Sequence, residues 1–165
     1  MSDTPFEPAG SSLAPVRFEN GQALIIAGFG QRYDLTTSNG IPALWQDFAA
    51  FMGKVPGQVG RTAYGVCCNP DGEGGFEYIA GVEVDTLAGL PEDFRSVELA
   101  PRCYAVFEHN GHISGIAQTT QAIWREWLPA SGREAADAPE FERYDERFDP
   151  LSGHGLLEIW LPLKD

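Results

Sequence analysis

The period of the hydrophobic positions changes along the chain, and the changes mark out its elements. An apolar run, Ala23-Leu24-Ile25-Ile26-Ala27-Gly28-Phe29, predicts a first strand over about residues 20–32. After the loop Thr36-Thr37-Ser38-Asn39-Gly40, apolar side chains recur every three or four positions at Ile41, Leu44, Trp45, Phe48, Phe51 and Met52. That spacing predicts an amphipathic helix over 41–52, opened by Pro42 and stopped by Gly53. Looser alternation predicts strands at 61–68 and 76–85, joined as a long hairpin by the Gly-rich turn that starts at Asn69-Pro70. The same order then recurs. Strand residues at 94–109, interrupted by Pro101, lead to a turn predicted at Asn110-Gly111. A helix follows over 113–128, with Ile116, Thr120, Ile123, Trp124 and Trp127 on one face. Residues 133–140 read as an acidic loop with room for a short helix. A short strand at 142–148, a turn at Asp149-Pro150 and a last strand at 155–161 close the chain.

The recurrence holds residue by residue. Ala43-Leu44-Trp45-Gln46-Asp47-Phe48 matches Ala122-Ile123-Trp124-Arg125-Glu126-Trp127 at a spacing of 79. Tyr64 and Tyr144, Pro70 and Pro150, Gly75 and Gly155, and Ile79 and Ile159 lie 80 apart. The expected fold is therefore α+β. Two pseudo-symmetric β-α-β-β repeats, about 16–90 and 91–165, form an antiparallel sheet with one helix per repeat packed on it. Neither repeat is long enough to bury a full core alone, so 16–165 is expected to form a single domain behind a flexible lead-in of 1–15. The spacing makes Tyr78 the counterpart of Glu158. An approximate two-fold axis is expected to bring their strands together around a cleft, where ligand sites favour such junctions.

Charge narrows the function. The 165 residues include 24 acidic and 11 basic ones, for a net charge of -13. That balance argues against direct binding of nucleic acid or of an anionic membrane, and suits either solubility or a cationic ligand. No apolar run approaches the roughly 20 residues that cross a membrane, and the first fifteen residues lack a secretory pattern, so a cytoplasmic protein is expected. Cys67, Cys68 and Cys103 have neither zinc nor disulfide spacing and read as small buried thiols. His109, His112 and His154 form no metal motif and read as surface residues near a turn. No metal or cofactor is expected. There is no Ser-His-Asp order, and Gly28-Phe29-Gly30 lacks the third glycine of a dinucleotide turn.

The last strand carries the candidate chemistry. Leu156, Glu158 and Trp160 share one face, and a carboxylate between a leucine and a tryptophan is costly to bury alone. Three roles are open to Glu158. It is a counter-charge for an organic cation held among aromatics, a general base whose pKa is raised by its apolar neighbours, or a structural group paired with Arg17, Arg61 or Arg102. Trp45 reads as core, Trp124 as core or pocket edge, and the acidic run from Glu134 to Glu146 as a solvated loop.

Several stretches in order resemble one family: Ile41-Pro42-Ala43-Leu44-Trp45, Tyr78-Ile79-Ala80-Gly81-Val82-Glu83-Val84, Tyr104-Ala105-Val106-Phe107-Glu108, Phe141-Glu142-Arg143-Tyr144 and Glu158-Ile159-Trp160-Leu161-Pro162. Together they are similar to the GyrI-like small-molecule-binding domains, the effector-binding part of AraC-type and multidrug-responsive activators, which also occur alone. The resemblance implies two β-α-β-β repeats around an aromatic pocket with a glutamate on the last strand. It transfers ligand contact to Glu158, Tyr78, Phe107, Trp124, Tyr144 and Trp160. It implies a stand-alone receptor for cationic or amphiphilic aromatic molecules, with a possible protein partner and a monomeric or dimeric state. The alternatives it carries are a hydrolase that opens strained electrophilic rings with Glu158 as general base, and a gyrase-inhibitor-like protein. No helix-turn-helix segment is visible, so a direct DNA-binding role is not expected.

Overall fold

The computed structural model describes residues 13–34 and 36–164, and most of the expected lead-in lies outside them. The first half runs β1 (Arg17–Gly21), β2 (Leu24–Tyr33), α1 (Ile41–Ala49), β3 (Gln58–Cys68) and β4 (Phe76–Val84). The second half runs β5 (Arg95–Leu99), β6 (Arg102–His112), α2 (Ile116–Ala122), a π-helical turn Ile123–Trp127 and α3 (Leu128–Ser131). It ends with β7 (Glu140–Tyr144), β8 (Phe148–Asp149) and β9 (His154–Pro162).

The strands pair in the order β1-β6-β9-β7-β3-β4-β2-β5, with β8 added on β9. The two repeats are thus β2-α1-β3-β4 and β6-α2-β7-β9, and they meet where β3 pairs antiparallel with β7. This is the expected α+β architecture, with one correction at its centre. β4 and β9 do not lie side by side, because β3 and β7 stand between them.

The single first strand expected over 20–32 is two strands. β1 pairs with β6 at one end of the sheet, whereas β2 pairs with β4 and β5 near the other end. The connection from Gly21 to Leu24 spans at most about 11 Å, so the sheet must curl until its ends approach. β5 makes the reciprocal crossing, pairing with β2 before the chain enters β6. Each short lead strand therefore docks on the opposite repeat and ties the halves together.

The curl has two faces with different fillings. Inside it lie Ile26, Val66, Ile79, Leu99, Val106 and Trp160. Outside it, α1 buries Leu44 and Phe48 on repeat one, and Ile123 of the π turn packs on Phe107 and Leu157 of repeat two. Three further expectations are corrected here. β6 runs straight through Asn110-Gly111, because both residues pair with β9, and His109 is buried with its Nδ1 at 2.8 Å from the Thr119 hydroxyl. The π turn changes the side-chain period, so Trp124 leaves the packed face and is 37% exposed. No helix among the described residues is long and apolar enough to cross a membrane.

Candidate functional site

Strand alternation on β7 sorts the site. Phe141 and Arg143 point into the curl, and Glu140, Glu142 and Tyr144 point to the helical side. α1 sits over β2 and β4, and α2 leads off β6, so the central strands β3 and β7 form a floor between the helices. On that floor the half-buried Glu142 accepts hydrogen bonds from the Tyr78 hydroxyl at 2.8 Å and the Tyr144 hydroxyl at 2.6 Å. The Trp45 indole N–H donates to the Tyr78 oxygen at 3.0 Å, and the Trp45 ring meets Tyr144 edge-on at 5.3 Å. Farther along, the Trp124 indole N–H donates to Glu140 at 3.3 Å.

No Lys or Arg among the described residues forms a salt bridge with Glu140 or Glu142. Burial raises the pKa of Glu142, and the two tyrosine hydrogen bonds oppose it. Burial also pushes Glu140 up to about 7, with the Trp124 hydrogen bond opposing and the Glu142 charge adding to the rise. The floor therefore offers two carboxylates and four aromatic side chains, with no basic partner among the described residues.

Glu158 has the opposite surroundings. It is 3% exposed on the inner face. Arg17 forks onto it with contacts of 3.0 and 3.1 Å, Arg147 donates at 3.1 Å, and the Trp160 indole N–H donates at 2.9 Å. The Arg17 guanidinium also lies 5.5 Å from the Trp160 ring centre. Burial alone would raise the Glu158 pKa. Hydrogen bonds from Arg17, Trp160 and Arg147 outweigh it and hold the carboxyl below its ordinary value. The rise expected for a general base is thus reversed, because Trp160 acts as a donor as well as an apolar neighbour. The other repeat has a matching device. Glu77, 3% exposed, accepts from Arg95 of β5 at 2.7 Å and from Asn69 at 2.8 Å. In both halves an arginine on a swapped lead strand clasps a buried glutamate.

The sequence matches the GyrI-like small molecule binding domain over residues 14–164. The chain belongs to this family. Among GyrI-like relatives, the transcriptional regulator BrlR of Pseudomonas aeruginosa is 33% identical over 126 residues, covering 74% of this chain and 46% of that protein. The chain thus spans about half the length of that curated relative. SAV2435, in a structure bound to tetraphenylphosphonium, shares the fold with a TM-score of 0.72 at 23% identity, covering 90% of this chain and 93% of that one. An integron cassette protein from the mobile metagenome of Vibrio cholerae aligns with a TM-score of 0.62 at 21% identity, covering 93% and 99%.

Within this GyrI-like domain the six sequence-predicted ligand residues do not converge. Tyr78, Tyr144 and Trp124 lie on the helical side around Glu142 and Glu140. Glu158 and Trp160 lie on the inner face, and Phe107 is fully buried under the helical layer against Trp127. Glu142, Glu140 and Trp45, which the sequence reading did not single out, complete the cluster around Tyr78, Tyr144 and Trp124. The first two fall inside the acidic run read as a solvated loop, yet 140–144 is strand β7 paired on both sides. The signal was the alternation Glu140-Phe141-Glu142-Arg143-Tyr144, which separates two acids from two inward residues.

Gly65 of β3 is the enabling position. A Cβ there would stand 2.0 Å from the Tyr78 hydroxyl oxygen and 2.8 Å from Glu142 Oε1, so only glycine lets this pair meet across the strand. Gly65→Ala is expected to displace the Tyr78 ring and cost about 1 kcal/mol for the lost hydrogen bond, read as a lower midpoint in urea unfolding.

Proposed function

We propose that this domain binds lipophilic aromatic cations on the floor between its helices, with Glu142 as counter-charge and Tyr78, Tyr144, Trp45 and Trp124 as the aromatic surround. One observation carries the reading. Glu142 is a recessed carboxylate held by two tyrosine donors and by no cation among the described residues. A buried charge without a partner is costly, and an incoming cation removes that cost while gaining cation–π contact with the same rings. Glu158 fits the role less well, because Arg17 and Arg147 already occupy it. Tetraphenylphosphonium, the ligand in the SAV2435 structure, is the chemistry of choice for a probe.

The test compares tetraphenylphosphonium with neutral triphenylphosphine oxide by calorimetry. The cation is expected to bind at least about tenfold more tightly, in line with a charge-assisted contact. Equal affinity for the two would remove the counter-charge. Acidity supplies a second check. A carboxyl must ionise to attract the cation, and Glu140 does so at about 7. The ionised fraction of Glu140 rises about tenfold from about pH 6 to about pH 8, and affinity is expected to rise by up to that factor. The unliganded protein moves the other way. A raised carboxyl pKa means that the folded state holds the extra proton, so the stability Glu140 contributes falls as pH rises toward about 7.

A further inference from the structure

The curl holds a second chamber, partly open to solvent, that the cation floor does not use. It lies across β7, on the face of Phe141 and Arg143, and has a volume of about 140 Å³. Leu24, Tyr64, Leu99, Tyr104, Phe141 and Trp160 form most of its wall. The four rings make a box: Phe141 stacks on Trp160 at 5.2 Å, and Tyr104 stands edge-on to both at 5.4 Å.

Two observations fix what this box suits. The first concerns charge. The rest of the lining is Gly21, the uncharged Gln22, Glu19 and Arg143, and both charged groups are already paired: Glu19 with Arg17 at 2.6 Å, Arg143 with Asp145 at 3.1 Å. The chamber therefore presents no free charge among the described residues, unlike the Glu142 floor. The second concerns Tyr104. Its side chain is 97% buried, being 3% exposed, and among the described residues its hydroxyl has no hydrogen-bond partner. A buried hydroxyl left without a partner is costly, and a ligand that pairs with it recovers that cost. Size sets the remaining limit. An apolar cavity of about 150 Å³ is enough to hold a benzene ring, so one ring fits and a four-ring cation does not.

We propose that this chamber is a second small-molecule site, which takes a single uncharged aromatic ring bearing one hydrogen-bonding group that pairs with the Tyr104 hydroxyl. The two sites then divide ligands by charge and size: lipophilic cations on the helical side of β7, small neutral aromatics inside the curl.

Phenol is the probe, and the indole resonances of Trp160 are the reporter, since Trp160 lines the chamber. In the wild type, phenol is expected to shift these resonances saturably in the millimolar range. Tyr104→Phe removes an unpaired hydroxyl, so it should keep or raise the melting temperature while weakening phenol about tenfold. Leu24→Phe adds bulk to the wall and should abolish phenol binding while tetraphenylphosphonium binding persists. Absence of a saturable shift in the wild type, or phenol affinity unchanged in Tyr104→Phe, overturns the proposal. Should Leu24→Phe fail to fold, the Tyr104→Phe comparison decides alone. Loss of tetraphenylphosphonium binding in a folded Leu24→Phe protein would show that the two ligands share one site, and would equally overturn it.

Discussion

Glu142→Gln is expected to weaken tetraphenylphosphonium binding by about 10- to 100-fold, the span of roughly 1.5–3 kcal/mol that a hydrogen-bonded charge contributes. Gln keeps the volume and one acceptor oxygen, so Tyr78 and Tyr144 retain a partner and the floor keeps its shape. Only the charge is lost. The substitution should not lower folding stability, because burial already raises the Glu142 pKa and the charge is a burden to the unliganded fold. Calorimetric titration with a parallel urea melt separates the two effects. A variant that binds poorly because it is half unfolded would show it in the melt.

The opposite pattern is expected at Glu158. Glu158→Gln should destabilise the domain by roughly 2–4 kcal/mol and leave cation affinity in the folded protein within about threefold of wild type. The carboxylate is 4% exposed and anchors Arg17, Arg147 and the Trp160 indole. Its removal strands a cluster of positive charge and loosens β1 from the sheet. The figure stays below that for a fully buried pair because Arg17 and Arg147 are 39% and 38% exposed and recover water. Acid should erase the difference. A carboxyl held below its ordinary pKa contributes stability that is present above its unfolded value and is lost as pH falls through the folded one. The gap between wild type and variant should therefore be widest at neutral pH and shrink in acid. Urea melts at several pH values measure it directly.

The elements and the doubling of the chain were legible because apolar periodicity reports them locally. Ile41, Leu44, Trp45 and Phe48 need no knowledge of the rest of the protein to specify a helix face. The site was harder to read because it depends on which face of a strand each residue takes, and a shift of one residue reverses every face. The spacing of 80 matched Tyr64 with Tyr144 and Tyr78 with Glu158. In the structure Tyr64 and Glu158 face the curl while Tyr78 and Tyr144 face the helices. Glu158 stood out in sequence as the lone acid in an apolar strand. Its partner Arg17 lies 141 residues away on a strand that crosses to the opposite repeat, a contact no local pattern announces. Glu142 was hidden for the reverse reason. It sits among other acids, and acidic neighbours in sequence suggest solvent even where alternation places the residue beneath two tyrosines.

The most direct test of the account follows the side-chain carboxyl carbon of Glu142 by NMR through a pH titration, without and with saturating tetraphenylphosphonium. The expected result is a titration above the ordinary glutamate range in the free protein that drops when the cation is bound, with Glu158 unmoved. A Glu142 titration indifferent to the cation, or a response at Glu158 instead, would contradict the placement of the counter-charge on β7.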